Sequence, residues 1–415
     1  MENRNKKVYA ILLLVSLILV SIISCHSTTA PVSKPPTANA GPDQVAKVGQ
    51  YLVLDGSASR RGDGDTLTYK WTADSSNPAD IWFMYWDPKI TLGFTREGTY
   101  RFRLIVNDGL SVSQPDEVVV TVAPRDGIVF RDAALEIEVR LALKNPAGEL
   151  TDQQLSMLDT LVAGGVFGKV SSLEGIERCS NLQCLNMSLH NLSDITPVAQ
   201  LKNLAELELD QNRILTDISP LAGLTELRKL NLQANRVSDI NPLRNLAKLT
   251  FLNLMTNPIT DVSVLKNMIE LDELWLDSSR IVSASVIAGF IKLRILWMTD
   301  CDLSDVSFLA DLSNLHLLHL GGNHIMDISS LVNCTQLERL YLDRNNIVDI
   351  SALEKLTNLN VLDLQRNNIS NIKPLVNNKG FGEGDGIFLT RNPLDSISVN
   401  KYIPELRARG VIVFY

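Results

Sequence analysis

A 22-residue repeat constrains the fold of this chain more than any other feature of its sequence. Each repeat reads L-x-x-L-x-L-x-x-N-x-I, and one interval is a residue longer because Leu215 is inserted. The leucines that begin the repeats are Leu182, Leu204, Leu227, Leu249, Leu271, Leu293, Leu315, Leu337 and Leu359. A single repeat has too few inward-pointing leucines to form a core of its own. The repeats, here called rungs, must therefore stack and stabilise one another.

Two polar positions of the rung are predicted to be architectural. The asparagine at the ninth position can donate to and accept from backbone groups, which predicts a buried ladder of Asn212, Asn235, Asn257, Asn323, Asn345 and Asn367. An aspartate later in the rung is predicted to cap a short 3₁₀ segment, and it recurs as Asp217, Asp239, Asp261, Asp305, Asp327 and Asp349. Recurrence in so many rungs favours capping over catalysis.

The repeat resembles the leucine-rich repeat of the type found in internalins. This resemblance implies an α/β solenoid with a parallel sheet on its concave face, and nine regular rungs span residues 182–376. Residues 125–181 are expected to form a helical N-terminal cap, with one helix over Asp132–Leu143 and a capping box at Thr151–Gln154. Residues 377–415 are expected to form an irregular last rung and a helix–strand C-terminal cap.

Residues 37–124 have a different texture, with short alternating runs separated by Gly, Asp and Pro turns. This pattern predicts an antiparallel β-sandwich. The segments Ala40–Gln44, Leu54–Ser59 and Asn107–Gly109 resemble those of a PKD domain, an immunoglobulin-like module of bacterial surface proteins. The chain is therefore predicted to be multidomain, with an all-β sandwich followed by the α/β solenoid.

Acidic residues of some PKD domains hold calcium, and the resemblance places Asp63, Asp65 and Asp108 as candidate ligands. Arg60 and Arg61 put two cations beside that site. Asx turns use the same aspartates without a metal, and this alternative is favoured. No other cofactor is expected.

The first 24 residues are predicted to be an export signal, because basic residues precede the apolar run Val8–Ile23. The segment Ile22–Cys25 resembles the lipobox of bacterial lipoproteins, which implies that Cys25 is lipidated and that residues 25–36 form a flexible tether. An uncleaved N-terminal helix is the alternative. Either interpretation predicts export, and the first predicts a lipid anchor in the cell envelope, at the outer membrane or cell surface.

Composition argues against several functions. The net charge of −8 and the lack of a basic block beyond the N-terminus argue against nucleic acid as a partner. No nucleophile elbow, phosphate loop or HExxH motif occurs, so an enzyme is not expected. The cysteines show no pairing pattern: Cys179 and Cys334 occupy core leucine positions and Cys301 a ladder position. His190 also replaces a ladder asparagine and is predicted to be a buried hydrogen-bonding residue.

Side chains at the third, fifth, seventh and eighth positions of each rung are predicted to face outward on the concave sheet. Aromatic residues gather there in neighbouring rungs as Phe251, Trp275, Trp297, His319 and Tyr341, a set here called the aromatic stripe. Exposed aromatic residues are candidate binding anchors. The alternative is that they only stabilise the sheet through cross-strand contacts.

Arg339, Arg344 and Arg366 follow the aromatic stripe on the same face, whereas acidic residues dominate the earlier rungs. Such a gradient can orient a polar partner. The sequence therefore predicts a binding or adhesion protein that recognises a protein, peptide or glycan through the concave face. The alternative function is a non-catalytic envelope scaffold whose contacts are made mainly by the PKD domain.

Overall fold

The computed structural model describes residues 34–64, 66–79, 81, 83–125 and 130–415. The described part of residues 34–125 forms seven strands in two sheets packed on a common core that contains Trp71, Phe94, Tyr100 and Phe102. The strands are β1 Gln44–Lys47, β2 Tyr51–Asp55, β3 Thr68–Ala73, β4 Phe83–Trp86, β5 Lys89–Gly93, β6 Gly98–Asn107 and β7 Asp116–Ala123.

The sandwich confirms the predicted fold, with one difference in strand direction. One sheet has the order β1-β7-β6-β3 and the other the order β2-β5-β4. All of these pairs are antiparallel except β1–β7, in which Gln44 lies opposite Val120 in a parallel register. The prediction of a wholly antiparallel sandwich was therefore wrong at this edge, because the hydrophobic alternation of a strand is the same in either direction.

Residues 130–415, all of which are described, contain a parallel sheet of 12 strands whose spatial order follows the chain. The strands are β8 Thr160–Val162, β9 Cys184–Asn186, β10 Glu206–Glu208, β11 Lys229–Asn231, β12 Phe251–Asn253, β13 Glu273–Trp275, β14 Ile295–Trp297, β15 Leu317–His319, β16 Arg339–Tyr341, β17 Val361–Asp363, β18 Gly386–Phe388 and β19 Ile412–Phe414. Each of β9 to β17 belongs to one of the nine rungs predicted from the repeat.

Eight of the nine rungs return through a 3₁₀ segment on the side opposite the strand, and the rung of Leu359 returns through the short α-helix Lys373–Asn377. The 3₁₀ segments are Thr196–Gln200, Ser219–Gly223, Asn241–Asn245, Ser263–Asn267, Ser285–Gly289, Ser307–Asp311, Ser329–Asn333 and Ser351–Lys355, and a further one, Ile176–Arg178, precedes the first rung. The predicted capping aspartates stand two residues before the N–H group that they bind, as when Asp217 Oδ1 accepts from the Ser219 N–H at 2.8 Å. The other five make the same contact at 2.8 to 2.9 Å.

The asparagine ladder is present and buried. Asn257 is typical, because its Nδ2 donates to the carbonyls of Leu232 and Leu254 at 2.8 and 3.1 Å while its Oδ1 accepts from the Val237 N–H at 3.0 Å. The inserted residue disturbs this pattern once, since Asn235 Oδ1 has no partner among the described residues. The asparagine thus ties its own rung to the preceding one through three hydrogen bonds.

Three rungs use other side chains in the ladder. His190 accepts the Val170 N–H on Nδ1 at 3.0 Å and lies 3.2 Å from the Ala163 carbonyl through Nε2, and its burial lowers the pKa of the imidazole. The hydroxyl of Ser279 donates to the Asn257 carbonyl at 3.3 Å, and the thiol of Cys301 lies 3.3 Å from the Leu276 carbonyl. The buried hydrogen-bonding role predicted for His190 is confirmed.

The four described cysteines are free, as expected from their spacing. Burial raises the pKa of Cys179 and Cys301 to about 12 and that of Cys334 to about 11, so these thiols stay protonated at neutral pH. Cys184 on β9 is only half-buried.

The eighth position of every rung has a left-handed backbone, which the repeat pattern did not reveal. Its φ values lie between +52° and +70° although most of these residues are not glycine: Leu189, Gln211, Ala234, Thr256, Ser278, Asp300, Gly322, Arg344, Arg366 and Arg391. A non-glycine residue there costs roughly 1 kcal/mol. The same conformation precedes His190, Ser279 and Cys301, so it belongs to the turn of the rung and does not depend on the ladder asparagine.

The caps resemble their predictions closely. Helix α1 spans Ala133–Ala142 with Asp132 as its N-cap, and α2 spans Asp152–Leu155 with the capping box between Thr151 and Gln154. At the other end, helix α3 Lys373–Asn377 precedes β18, a π-helical turn Ser398–Tyr402 leads into helix α4 Ile403–Ala408, and β19 closes the sheet.

The sandwich packs directly on the N-terminal cap. A Cβ on Gly93 would lie 2.7 Å from the ring of Phe167, so strand β5 approaches the cap as closely as a glycine allows. Glu136 of α1 is buried beside Gly49 and binds Arg140 and Arg125 at 2.8 and 3.4 Å. This contact joins the two domains through side chains, in addition to the chain connection.

The ladder gives a first prediction. Replacing Asn257 by alanine leaves three buried backbone groups without their partner and should lower the free energy of unfolding by about 3 kcal/mol. Asn358→Ala is the matched control, because Asn358 is exposed and only donates to the Thr335 carbonyl at 2.9 Å. Urea unfolding of both variants checks this, and equal losses would contradict the role of the ladder.

Candidate ligand-binding face of the repeat sheet

The register of the parallel sheet aligns the aromatic stripe across five consecutive strands. Trp275 lies opposite Trp297, Trp297 opposite His319, and His319 opposite Tyr341. Phe251 is at the third position of its rung and therefore stands diagonally from Trp275. All five side chains are half-buried on the concave face, so the predicted juxtaposition is present.

The five rings contact one another in sequence. The two indoles stack with centroids 5.2 Å apart and planes inclined by 16°. His319 meets the edge of Trp297 at 4.7 Å and Tyr341 at 4.8 Å, while Phe251 lies 6.2 Å from Trp275. Such contacts stabilise a sheet by roughly 0.5–1.5 kcal/mol each. Stabilisation of the sheet by cross-strand contacts, which is the alternative to ligand binding, therefore explains part of why these aromatic residues occur together.

A second observation separates the stripe from a purely stabilising cluster. The indole Nε1 atoms of Trp275 and Trp297 and the Nδ1 of His319 are buried and have no hydrogen-bond partner among the described residues. A buried polar group without a partner costs roughly 1–3 kcal/mol. These three adjacent groups therefore reduce the stabilisation that the ring contacts supply, and apolar rings would pack there without that cost.

Apolar side chains widen the stripe on one side. Ile295, Leu317 and Val361 occupy the third position of their rungs and are half-buried on the concave face beside the aromatic rings. Of the residues at this position, only Phe251 was predicted from the sequence to belong to the binding surface. The repeat pattern was sufficient to predict these three residues as well. The third position alternates with buried leucines, so any apolar residue there faces outward.

Acidic residues border the stripe on the other side. Asp277 is 5% exposed, and its Oδ1 accepts the Thr299 N–H at 2.7 Å. Asp300 is exposed. The seventh position was predicted to face outward, but Asp277, Thr299 and Gly321 are buried there. That prediction was wrong for these rungs, because the large rings at the fifth position cover their neighbours.

The two acids nearest the rings differ in their electrostatics. Burial raises the pKa of Asp277 in spite of its backbone hydrogen bond. The pKa of Asp343 is lowered, because its carboxylate lies 3.6 Å from His319 Nε2 and 3.0 Å from Arg344 Nε. Ionised Asp277 therefore works against folding at neutral pH, whereas ionised Asp343 supports it.

The arginines predicted to follow the stripe do not form a free basic cluster. Arg344 binds Asp343 and also reaches Asp300, two rungs away, at 3.1 Å. Any other residue at position 322 would block this contact, because a Cβ there would lie only 2.0 Å from Asp300 Oδ1. Gly322 therefore leaves the room in which Arg344 and Asp300 meet. Arg339 and Arg366 are exposed on the same face.

The remaining predicted site residues lie elsewhere. Cys25 and Asp65 are outside the described residues. Asp108 is buried, and its two oxygens accept the N–H groups of Gly62, Gly64, Leu110 and Ser111 at 2.9 to 3.2 Å. These bonds, led by that of Ser111, lower the pKa of Asp108. They form the turn chemistry favoured at the sequence level.

Asp63 is engaged as well, since its Oδ2 accepts the Lys34 N–H at 2.5 Å. Within the described residues no group of three or more His, Cys, Asp or Glu side chains is placed to hold a metal ion. Calcium binding also requires Asp65 and stays a prediction. In the same part of the chain, no helix has the length and apolar content needed to cross a bilayer.

One cleft marks an irregular rung. Its volume is about 410 Å³, and it opens beside the rung of Leu271, where Ser283 and Ala284 replace the capping aspartate and the following isoleucine or valine. The smaller side chains leave this space, and exposed Val282 lies at its rim. The aromatic stripe does not line this cleft.

Comparison with known families agrees with both halves of the fold. Residues 33–122 match the family model of the PKD domain. Residues 225–267, 313–355 and 335–377 match the model of leucine-rich repeats in two copies. The chain is a leucine-rich-repeat protein that carries a PKD domain before its solenoid.

Particular similar proteins include an internalin of Listeria monocytogenes, the family whose repeats these resemble. That structure is 28% identical, and the match covers 61% of this chain and 94% of that chain with a TM-score of 0.44. The ectodomain of the Arabidopsis thaliana receptor kinase GASSHO1/SCHENGEN3 is 23% identical, with 60% of this chain and 32% of that chain covered and a TM-score of 0.50.

A mouse protein, low-density lipoprotein receptor-related protein 11, is 35% identical over 94 residues, or 22% of this chain. The match spans only 19% of that relative's length.

The acids beside the rings give a second prediction. Because burial raises the folded-state pKa of Asp277, the penalty of its charge is absent well below about pH 4 and grows as pH rises. Asp277→Asn should therefore unfold at a higher temperature than the parent at pH 7, and the difference should vanish in acid.

Asp343→Asn is the matched variant with the opposite sign, because its carboxylate stabilises the fold at neutral pH and loses that effect as it is protonated. Thermal unfolding from about pH 3 to pH 7 measures both. A lower melting temperature for Asp277→Asn at pH 7 would contradict the electrostatic assignment.

Proposed function

We propose that this chain is a non-catalytic binding protein that captures a protein or peptide on the concave face of its solenoid. The observation that carries the proposal is the aromatic stripe, in which Trp275, Trp297 and Tyr341 form one continuous half-buried surface across neighbouring strands. Tryptophan and tyrosine are the residues most enriched among binding hot spots. Their rings bury large areas against a partner with little loss of side-chain entropy.

The shape of the face supports a macromolecular ligand. Small molecules are usually bound in enclosed clefts, whereas the stripe and its apolar neighbours Ile295 and Leu317 form an open surface. The Arabidopsis ectodomain that shares this fold was solved in complex with CASPARIAN STRIP INTEGRITY FACTOR 2. The fold can therefore present a binding surface to a second molecule. A glycan is the alternative ligand, and an enzyme has no supporting motif.

A third prediction tests the stripe. The variant with Trp275→Ala, Trp297→Ala and Tyr341→Ala should reduce capture of a partner from environmental or host extracts at least tenfold, because it removes the largest contact surfaces. The captured protein is then purified and its affinity measured. Val348→Ala combined with Met326→Ala is the matched control, since both residues are exposed but lie outside the concave sheet.

Removal of stacked rings also costs some stability, so a second variant keeps them. Ile295→Lys places a charge beside intact Trp275 and Trp297 and should reduce capture as well. Thermal unfolding confirms that each variant is folded at the assay temperature. Capture by both variants at the parental level would show that the concave face is the wrong surface.

The scaffold alternative assigns the contact to the PKD domain. Deleting residues 37–124 separates the two functions, because a concave-face binder keeps its ligand after this deletion and a PKD-dependent scaffold loses it. The buried contact between Gly93 and Phe167 would be exposed by the deletion, so the cap of this variant should also carry Phe167→Ser.

We also propose that the protein is exported and held in the bacterial envelope by a lipid on Cys25. The basic residues before the run Val8–Ile23 and the Ile22–Cys25 segment support this location. A lipid anchor would place the solenoid outside the cytoplasm, where a surface-binding protein meets its partners. Adhesion is the corresponding cellular role.

A fourth prediction follows from this location. The full chain expressed in a bacterium fed with labelled palmitate should acquire the label, and Cys25→Ala should lose it, because that thiol is the acylated group. Cys184→Ala is the control and should keep the label. Label that persists in Cys25→Ala would exclude the anchor.

A further inference from the structure

The charge around the aromatic stripe is one-sided in its central rungs. The third, fifth, seventh and eighth positions of the three rungs that begin at Leu271, Leu293 and Leu315 carry the acidic residues Glu273, Asp277 and Asp300, of which Asp277 is buried. They carry no lysine or arginine. Neither Glu273 nor Asp277 forms a salt bridge with any described residue. The rings are therefore bordered by Glu273 and Asp277, which have no ion-pair partner among the described residues, and by Asp300, whose exposed carboxylate is shared with Arg344.

The electrostatics of Asp277 reinforce this point. The carboxylate is 5% exposed and its pKa is raised by burial, so the folded chain is less stable with this charge than without it. An asparagine would keep the hydrogen bond to the Thr299 N–H without a charge. A negative charge that destabilises the free protein is expected where that charge serves to bind a ligand.

The structure also shows how this border holds a cation. The guanidinium of Arg344 lies between Asp300 and Asp343 at 3.1 and 3.0 Å, over the space left by Gly322. Arg344 lies two rungs beyond Asp300 and contacts only that end of the acidic border. The part beside Trp275 and Trp297 offers the same kind of acceptors together with aromatic faces, which attract cations.

We infer that the ligand of the aromatic stripe is an extended peptide segment with a basic side chain, whose Lys or Arg cation lies against Trp297 between Asp277 and Asp300. This inference rests on the proposed function and names the chemistry of its ligand. Arg344 binds Asp300 through Oδ1, and the rest of this exposed carboxylate makes the direct contact with the ligand cation, while buried Asp277 adds negative potential. Ile295 and Leu317 accept apolar side chains on the other border.

The length of the stripe sets the length of that segment. Five neighbouring strands at a spacing of ~4.8 Å span roughly 19 Å, which an extended peptide covers with about six residues. A peptide of this size with one or two basic residues and intervening apolar residues would cover the stripe. The overall charge of −8 would add a favourable long-range attraction for such a ligand.

The fifth prediction uses random 12-residue peptides displayed on phage and selected against the full chain. A parallel selection uses the variant with Trp275→Ala, Trp297→Ala and Tyr341→Ala, and peptides that bind only the parent are called stripe-dependent. Among these, Lys and Arg should be enriched at least about twofold over the starting library, and Asp and Glu should be depleted. Replacing the basic residue of a selected peptide by Gln should weaken its affinity about tenfold.

A charge variant locates the effect. The double variant with Asp277→Asn and Asp300→Asn should bind the same peptides about tenfold more weakly and should show a smaller loss of affinity with added salt. Asp311→Asn is the matched control, because Asp311 is exposed in a 3₁₀ segment away from the stripe. It should bind as the parent does.

The outcomes separate the two proposals. Stripe-dependent peptides that are neutral or acidic, or that bind the double variant as tightly as the parent, overturn the basic-ligand inference and leave the binding function standing. A selection that yields no stripe-dependent peptide overturns both. Stripe-dependent binding to a glycan array, with none to peptides, also overturns both and supports the glycan alternative.

Discussion

The architecture depends on hydrogen bonds and leucine contacts that join one rung to the next. Each ladder asparagine satisfies buried backbone groups of its own rung and of the rung before it, as Asn257 does for Leu254 in its own rung and for Leu232 and Val237 in the preceding one. The residue before each ladder position has a left-handed backbone, which most side chains disfavour. The sandwich, the caps and the concave face all take their positions from this stack.

A consequence of the stack is that function is confined to a few columns. Inward positions hold leucine, return positions hold capping aspartates, and what varies freely is the outward side of the strands. The aromatic stripe occupies that surface where the ladder is least regular, because Ser279 and Cys301 replace asparagine in the rungs of Trp275 and Trp297. Stacked indoles compensate part of the lost hydrogen bonding.

The sequence predicted whatever the repeat period determines: the nine rungs, the ladder, the caps and the alignment of Trp275 with Trp297. It did not predict interactions that depend on side-chain direction across several rungs. The reach of Arg344 to Asp300 requires the missing side chain of Gly322, and the burial of Asp277 requires the bulk of its aromatic neighbours. The parallel pairing of β1 and β7 was missed because alternation does not encode strand direction.

The irregular rung of Leu271 has a mechanical meaning. A pull along the long axis of a solenoid loads its rungs in series, so the weakest junction yields first and limits the force that the whole array transmits. The rung of Leu271 lacks both a ladder asparagine and a capping aspartate. Ala284 also replaces a larger β-branched residue, and a cleft opens beside it. The stripe crosses the same junction on its concave side. A molecule bound to the stripe would contact the rungs on both sides of this irregular rung. The occupied solenoid would therefore be stiffer than the empty one.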